Sequence, residues 1–573
     1  MIPRSEYPRP QMVRDSYICL NGLWEFEIDA SDSALEKGIL EKEKLDSEIL
    51  VPFCPESALS GVCCKDFMKA VWYRKFFAKD KGFEGKRVLL HFEAVDYEST
   101  VYLNGEVLGK HRGGYTPFTF DITDRMQENN CLVLKAFDDI RSGRQYAGKQ
   151  CREYHSKGCD YTRTTGIWQS VWLEAVPQTY LERYEVRPDI DNCKADFTLY
   201  FGGMLCKKEV TVKAFYQGEE VGCETLRCSV GRMDLSLRLS QLHLWEVGCG
   251  RLYDFEITVD TEEGTDVVKG YFGMRSITLA KDCILINGKK IFQRLILDQG
   301  FYEDGIYTAK DDETLKRDIE LSMALGFNGA RMHQKVFERR YLYHADSMGY
   351  LLWGEYASWQ MDVFREDFDT VLIPQRLESV RRDINSPSLI GWCPLNETWD
   401  MEGKKQCDEA IRNIYLVTKT ADPTRPVIDT SGNYHVQTDI FDVHDYEQDV
   451  DKFSDKFAPM KNGGEYYTTF PDRQKYEEQP YFVSEYGGIG WNAKSGWGYG
   501  NAPKNEEEFV RRYTGLAEVI LSNPKIFALC YTQLTDVEQE KNGLYYYNRK
   551  PKFSKEVMEK LRAAMAAKAA IEE

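Results

Sequence analysis

The sequence lacks the features of a membrane protein or a nucleic-acid-binding protein. No apolar run approaches the roughly 18 residues that a membrane-spanning helix needs. The first residues, MIPRSEYPRP, contain no apolar stretch like that of a secretory signal, so we expect a cytoplasmic protein. The formal net charge of −18 disfavours nucleic acid and anionic membranes as partners.

The cysteines form no pattern typical of a disulfide framework or a metal site. The chain has 16 of them, scattered along its length, without a CxxC pair. Several lie in apolar, strand-like runs, as Cys393 and Cys530 do. Buried, reduced thiols fit this distribution. We therefore expect no resident metal and no organic cofactor.

Length and composition indicate a multidomain globular protein. A chain of 573 residues is too long for one core, and about three domains is a reasonable expectation. Hydrophobic residues make up 42% and charged residues 29%, which is ordinary. Aromatic residues reach 13%, which suits β-strands and also surfaces that stack on sugar rings.

The pattern of hydrophobic residues changes along the chain and predicts three domains. Residues 1–177 read as a strand-rich β-sandwich, with runs such as RVLLHFEAV and SVWLEAV. Residues 178–277 have the size and strand pattern of an immunoglobulin-like sandwich. From residue 278 to 573, helical and strand-like segments alternate in close to eight units, which predicts a TIM barrel. No low-complexity linker separates these parts, so they should pack tightly.

Two buried-strand patterns near the end of the chain each run into a glutamate. SLIGWCPLNETW contains Asn396 and Glu397, and QPYFVSEYGG contains Glu485. A barrel of parallel strands gathers its chemistry at the carboxyl ends of the strands. Two carboxylates on that rim are what hydrolysis of a glycosidic bond requires.

The chain resembles glycoside hydrolase family 2, which includes β-galactosidases, β-glucuronidases and β-mannosidases. The resemblance covers nearly all of the sequence: FEAVDYESTVYLNGEVLGKHRGGYTPFTFDIT and TTGIWQSVWLE in the first part, GYFGMRSI in the middle, and the NE and SEYGG motifs in the barrel. It implies a sugar-binding jelly-roll-like β-sandwich, an immunoglobulin-like β-sandwich and a catalytic (β/α)8 TIM barrel. It also implies hydrolysis with retention of configuration.

The resemblance implies roles for the residues around the two motifs. Glu397 corresponds to the general acid/base and Glu485 to the nucleophile, so their carboxyl groups should lie about 5–5.5 Å apart. Asn396 resembles the asparagine that bonds the sugar 2-hydroxyl, and Arg331 the arginine that holds the nucleophile ionised. The other residues expected in the site are His333, Tyr446 with His444 beside it, and Asp160, which reaches in from the first domain.

Four further positions are expected at the sugar or the wall of its subsite. Tyr531 aligns with a tryptophan that floors the subsite in relatives, and Asp298 should meet a sugar hydroxyl. Trp491 and Trp497, in a glycine-rich loop after the nucleophile, suit a lid or wall.

The sequence leaves the identity of the sugar open. Glucuronidases of the family hold the substrate carboxylate with an Asn-x-Lys motif, and the matching positions are Glu540 and Asn542. A glutamate there would repel a uronate, which favours a neutral sugar. Among neutral sugars, a β-galactoside comes first only because that activity is frequent in the family that the chain resembles. Asn492 and Lys494 form another Asn-x-Lys in the loop after Glu485, so a galacturonide or glucuronide remains an alternative.

Two further alternatives concern the reaction. A degenerate barrel could bind carbohydrate without cleaving it, or the enzyme could favour transfer to another sugar. In each case the expected partner is a small glycoside or oligosaccharide. A homo-oligomer, dimer or tetramer, is compatible with the family.

Overall fold

The first part of the chain is a sandwich of two antiparallel sheets. The computed structural model describes residues 2–400, 403–491 and 496–572. The first sheet has the order β1-β12-β5-β9, the second β3-β2-β4-β10-β7-β8, and β6 pairs with β11. Alternation sets the inner face: in GLWEFEID, Trp24 and Phe26 are buried while Leu23 faces solvent. The strands are β1 (Tyr17–Cys19), β2 (Gly22–Asp29), β3 (Ser47–Val51), β4 (Ala70–Ala78), β5 (Arg87–Phe92), β6 (Val95–Asp96), β7 (Glu98–Leu103), β8 (Glu106–Arg112), β9 (Phe118–Asp121), β10 (Asn129–Phe137), β11 (Gly166–Ile167) and β12 (Val171–Val176).

The second part is a seven-stranded sandwich with an immunoglobulin-like division into sheets of three and four strands. The sheet orders are β13-β14-β17 and β16-β15-β18-β19. Every second residue of β14 is buried, which supplies Phe197 and Leu199 to the core between the sheets. The strands are β13 (Thr179–Asp189), β14 (Lys194–Gly203), β15 (Lys208–Tyr216), β16 (Glu219–Cys228), β17 (Arg232–Arg238), β18 (Tyr253–Thr261) and β19 (Gly264–Phe272).

The third part is a TIM barrel of parallel strands, entered through the small antiparallel sheet β20 (Ile277–Leu279), β21 (Ile284–Ile286) and β22 (Lys289–Lys290). The barrel strands have both faces covered, and the last pairs with the first. They are β23 (Gln293–Asp298), β24 (Gly329–Met332), β25 (Leu351–Glu355), β26 (Leu389–Cys393) continued by β27 (Leu395–Asn396), β28 (Thr430–Ser431), β29 (Phe441–Asp445), β30 (Tyr481–Gly487) and β31 (Ile526–Thr532).

The helical layer confirms the barrel with one departure from eightfold regularity. Between β28 and β29, a stretch that the structure describes fully, no helix intervenes. The helices are α1 (Asp312–Ala324), α2 (Arg339–Met348), α3 (Phe368–Asp383), α4 (Asp408–Ala421), α5 (Val450–Lys461), α6 (Glu506–Leu521) and α7 (Lys555–Met565). Asp311 caps α1 by accepting from the Thr314 amide. Among the described residues, no helix is long and apolar enough to cross a membrane.

The first domain and the barrel share one hydrophobic core. Tyr115, Tyr161 and Trp168 from the sandwich pack in the same buried cluster as Tyr307 and Tyr356 from the barrel. The cluster accounts for the tight packing of these two domains, which the absence of a low-complexity linker between them predicts. It also fixes the loop between β10 and β11 over the carboxyl ends of the barrel strands.

Lys335 is buried at this interface and contacts side chains of both domains. Its ammonium donates to the carbonyl oxygens of Gly300 at 2.6 Å and Tyr307 at 2.7 Å. It also lies 5.1 Å from the ring centroid of Trp168 and 4.5 Å from that of Tyr307. Burial lowers the pKa of Lys335 to about 7, but an amine can donate both hydrogen bonds in either protonation state.

Replacing Lys335 with methionine should lower the free energy of unfolding by ~2–4 kcal/mol, because two buried carbonyls lose their donor. Urea unfolding followed by tryptophan fluorescence would show an earlier midpoint. Lys316→Met on α1 removes a half-exposed lysine 3.7 Å from Glu320 and is the matched control. Equal midpoints for the two variants would contradict the proposed role of Lys335.

Candidate active site

Two glutamates meet on the rim of the barrel. Glu485 lies within β30 and is buried, whereas Glu397 follows β27 and keeps 16% of its side chain exposed. The backbone of Glu397 has a φ of 48°, and its amide donates to the Ser431 carbonyl of the neighbouring strand. One oxygen of Glu397 and one of Glu485 lie within 4.8 Å of each other. The structure therefore brings together the pair that the two sequence motifs predict.

Glu485 is held as a carboxylate by hydrogen bonds and opposite charge. Arg331 Nη1 donates to its Oε1 at 3.0 Å, and Tyr446 Oη donates to its Oε2 at 2.5 Å. Burial raises the pKa of Glu485, but the charges of His444 and Arg331 outweigh that effect and leave the pKa below its usual range. A carboxylate in this state is suited to nucleophilic attack.

Arg331 connects four strands of the barrel through one guanidinium. Nη1 also donates to the Ser484 carbonyl at 2.8 Å, and Nη2 lies 3.0 Å from Asn396 Oδ1 and 2.6 Å from Glu355 Oε1. Glu355 ends β25 and was missed by the sequence analysis, although its strand, YLLWGE, also runs into a carboxylate. Burial raises the pKa of Glu355, but the charges of Arg331 and His333 lower it by more than burial raises it. The pKa is therefore below its usual value, and the group stays ionised.

Asn396 and His333 both face this network. Arg331 Nη2 donates a hydrogen bond to the amide oxygen of Asn396. The buried Nδ2 of Asn396 has no acceptor among the described residues. That amide can donate to a sugar hydroxyl. His333 Nδ1 lies 2.9 Å from Glu355 Oε2, which orients the imidazole on the same rim.

His444 lies between the two glutamates. Its Nδ1 is 2.7 Å from Glu397 Oε1, and its Nε2 is 3.5 Å from Glu485 Oε1. Burial lowers the pKa of His444, but the two carboxylates outweigh burial and raise it. Gly432 makes room for the ring, since a Cβ there would lie 2.1 Å from His444 Nδ1.

The spacing of Glu397, His444 and Glu485 would also permit a metal ion to bind. Such an ion would engage both carboxylates that glycoside hydrolysis needs free. A bound metal ion would therefore be incompatible with glycoside hydrolysis by these two glutamates. The expectation of no resident metal stays a prediction.

The loop between β10 and β11 brings side chains of the first domain to the rim. The amide of Ala147 donates to the Trp359 carbonyl, and Gln360 Nε2 donates to Asp160 Oδ1 at 3.2 Å. Trp497 Nε1 donates to the Gly158 carbonyl at 2.7 Å, which ties the loop after β30 to it. Asp160 thus lies at the site, as the sequence analysis expects.

The same loop carries Lys149, which the sequence analysis missed. Its side chain is buried, and its ammonium lies 5.0 Å from the ring centroid of Trp359 and 6.0 Å from that of Tyr161. No carboxylate oxygen of the described residues comes within 4.0 Å of it. Burial lowers the pKa of Lys149, but nearby charges, including those of Glu540 and Glu485, raise it overall. The site thus contains a charged ammonium without a close anionic partner.

Asp298 is not at the sugar, contrary to the sequence analysis. Its Oδ2 accepts from Tyr341 Oη of α2 at 3.1 Å, and its Oδ1 accepts from the Gly300 amide at 2.9 Å. It therefore faces the helical layer. Burial raises its pKa to about 6.

Tyr531 and Trp491 also point away from the site. Tyr531 packs against Tyr513 of α6, with ring centroids 5.0 Å apart, so it does not floor the sugar subsite. The next residue, Thr532, faces inward instead, with its hydroxyl 3.2 Å from Tyr446 Oη. Trp491 packs against Phe509 of α6. The expected positions Asn492 and Lys494 lie outside the described residues.

A cavity of about 720 Å³ opens from Glu397 and Asn396 toward solvent. Its walls come from the barrel loop after β25, the loop of the first domain and the segment after β27. Trp359, whose indole donates to the Asn396 carbonyl at 2.8 Å, forms part of the wall nearest the glutamates.

Comparison with known families decides the class of protein. The model described as "Glycosyl hydrolases family 2, TIM barrel domain" matches residues 277–565, more than half of the chain. This chain belongs to glycoside hydrolase family 2. A second model, "Glycosyl hydrolase 2 galactose-binding domain-like", matches residues 64–199.

Individual relatives of this family 2 enzyme are distant. The β-glucuronidase of Streptococcus agalactiae is 24% identical, with 95% of this chain and 96% of that protein covered. The β-galactosidase of Thermoanaerobacter pseudethanolicus is 27% identical over 59% of this chain, which spans only 46% of that relative's length. The structure of Bifidobacterium dentium β-glucuronidase, complexed with coumarin-3-O-glucuronide, has a TM-score of 0.81 at 20% identity and covers 97% of this chain and 98% of its own. At that identity, the likeness shows the fold.

Replacing His444 with glutamine should move the acidic limb of the pH profile of kcat/KM to higher pH by ~1 unit, because a nearby positive charge that lowers the pKa of Glu485 is lost. Because protonated Glu485 cannot attack, kcat/KM would begin to fall at a higher pH than in the wild type as the solution is acidified. The measurement is kcat/KM between pH 4 and 8 on an activated aryl glycoside. His344→Gln on α2, remote from the glutamates, is the control, and an unmoved limb in His444→Gln would refute this electrostatic role.

Proposed function

We propose that this protein is a retaining exo-β-glycosidase whose terminal sugar is a uronic acid. In the first step, Glu485 attacks the anomeric carbon while Glu397 gives its proton to the departing oxygen, so one C–O bond forms and one breaks. In the second step, Glu397 takes a proton from water, and the water oxygen displaces Glu485 from the same carbon. Two inversions leave the configuration unchanged.

The separation of the two carboxylates carries the mechanistic part of the proposal. Oxygens of Glu397 and Glu485 lie within 4.8 Å. Inverting enzymes need about 6.5–9.5 Å to fit a water between the carboxyl groups, and retaining enzymes need about 5–5.5 Å. The ionised state of Glu485 also supports a nucleophile.

Lys149 and the relatives support a uronide as the substrate. A buried ammonium with no anionic partner within reach is costly, and a carboxylate on the substrate would supply that partner. The Streptococcus agalactiae relative, aligned along nearly its whole length, is a β-glucuronidase, and so are several proteins with the same three-domain fold. Glucuronides and galacturonides share the carboxylate and differ at the 4-hydroxyl.

A β-galactoside is the second candidate because of Glu540. This buried carboxylate accepts from Tyr161 Oη at 2.5 Å and from Asn542 Nδ2 at 2.9 Å. It takes the place of the first residue in the Asn-x-Lys motif, by the resemblance described above, and its charge opposes a uronate. β-Galactosidases are also among the relatives.

Replacing Glu485 with glutamine should abolish turnover, because an amide cannot form the glycosyl ester. Replacing Glu397 with alanine should instead preserve a rapid first release of p-nitrophenol, which leaves without a proton, and slow the second step. Stopped-flow absorbance would show a burst equal to the enzyme concentration, and intact mass spectrometry would detect the added sugar. Wild-type rates in either variant would remove the mechanism.

Replacing Lys149 with methionine should reduce kcat/KM on p-nitrophenyl β-uronides by ~10- to 100-fold, the effect of one charge-assisted hydrogen bond. The p-nitrophenyl β-galactoside should not suffer this loss. Lys157→Met, which removes an exposed lysine of the same loop paired with Glu153, is the control. An equal loss on both sugars would give Lys149 a structural role, and activity on the galactoside alone in the wild type would favour the second candidate.

A further inference from the structure

The cavity beside Glu397 lies on the leaving-group side of the bond to be cleaved. A general acid must reach the departing oxygen, so the departing group extends past Glu397. The cavity of about 720 Å³ begins at Glu397 and Asn396 and continues outward along Trp359, Phe364 and Trp399. It is therefore the space available to the leaving group.

The charge of this cavity is opposite to that of the whole chain. The sequence contains 92 acidic and 74 basic residues. Among the residues that the structure describes, the cavity wall instead contains five cations and three carboxylates. The cations are Arg141, Arg144, Arg152, Arg365 and Lys404, and the carboxylates are Asp160, Asp362 and Glu397.

The three carboxylates neutralise the wall only in part. Glu397 is bonded to His444, and Asp160, which accepts from Gln360, also lies close enough to Arg152 for their charges to interact. Two of the cations have other partners: Arg365 pairs with Asp367 at 2.7 Å, and Arg141 lies 4.2 Å from the ring centroid of Phe67.

Arg144, Arg152 and Lys404 lie at the mouth, with the Lys404 ammonium 5.7 Å from the ring centroid of Phe364. All three are exposed, and no carboxylate oxygen of the described residues lies within 4.0 Å of them. Guanidinium groups bind carboxylate and sulfate oxygens through paired N–H donors. Trp399, with 43% of its surface exposed, adds an apolar face beside them that can stack on a sugar ring.

We propose that this cavity binds a leaving group that carries an anionic substituent, a carboxylate or a sulfate, on a sugar or aromatic ring. The proposal rests on the proposed function, because Glu397 as general acid defines the leaving-group side. It goes further by making the enzyme selective for acidic oligosaccharides or acidic conjugates. Since the three cations are exposed, their contribution should weaken with salt.

Two substrates with the same terminal sugar test the proposal. One carries a phenol with a meta carboxylate as leaving group, and the other carries the corresponding carboxamide. The quantity of interest is the ratio of kcat/KM for the acid to that for the amide, corrected for the pKa difference of the two phenols. We expect a ratio of ~10 at 20 mM salt, falling toward 1 at 500 mM salt.

The double variant Arg144→Gln/Arg152→Gln should bring the ratio close to 1 at low salt, mainly through a higher KM for the acid. Arg232→Gln/Arg227→Gln, on the surface of the middle domain, removes the same net charge and should leave the ratio as in the wild type. Each single variant should lower the ratio partly. The single variants therefore test the proposal even if the double variant fails to fold.

The outcomes separate this proposal from the proposed function. Hydrolysis of both substrates with a ratio of 1 or less would overturn the anionic leaving group and leave the glycosidase intact. A high ratio that both double variants share would assign it to net charge and overturn the site. Failure to hydrolyse either substrate with any terminal sugar would overturn the proposed function and this inference with it.

Discussion

The hydrogen bonds of Arg331 are the constraint on which the catalytic arrangement depends. One buried guanidinium orients Glu485, Asn396 and Glu355, which come from three different strands. Removing it would leave two buried carboxylates without their cation, a change that costs several kcal/mol in comparable pairs. Charge balance at the barrel centre and the positions of the nucleophile and the amide are therefore set by one side chain. His444 performs a smaller version of the same task between Glu397 and Glu485.

The first domain completes a site that the barrel alone would leave open. Its loop between β10 and β11 places Lys149 and Asp160 at the rim. The loop approaches closely because Gly148 has no side chain: a Cβ there would lie 2.2 Å from the Gln334 carbonyl oxygen. The shared core around Trp168 holds the domain in position. The two glutamates thus lie on the barrel, while side chains of a different domain line the same site.

The sequence predicted the barrel and its central residues because their signals are local. A buried strand that ends in a glutamate identifies Glu397 and Glu485, and the same rule would have found Glu355. It could not predict which way Tyr531 and Asp298 point. A barrel strand is covered on both faces, so its residues show no alternation of polarity from which orientation can be read. Lys149 could not be predicted from the sequence for another reason. It comes to the site only because a loop of the first domain reaches the rim of the barrel.

The balance between Lys149 and Glu540 is what remains to decide the sugar. Glu540 accepts hydrogen bonds from Tyr161 and Asn542, which stabilise its buried charge. Lys149 has three donors and faces two aromatic rings, and no carboxylate oxygen of the described residues lies within 4.0 Å of its ammonium. A uronate would gain a new ion pair with Lys149 at the cost of repulsion from a carboxylate already hydrogen-bonded elsewhere. A neutral sugar would leave the buried ammonium without an anion in direct contact. The uronide proposed above is therefore supported by the ammonium of Lys149, which has no carboxylate oxygen of the described residues within 4.0 Å, and opposed by the buried charge of Glu540.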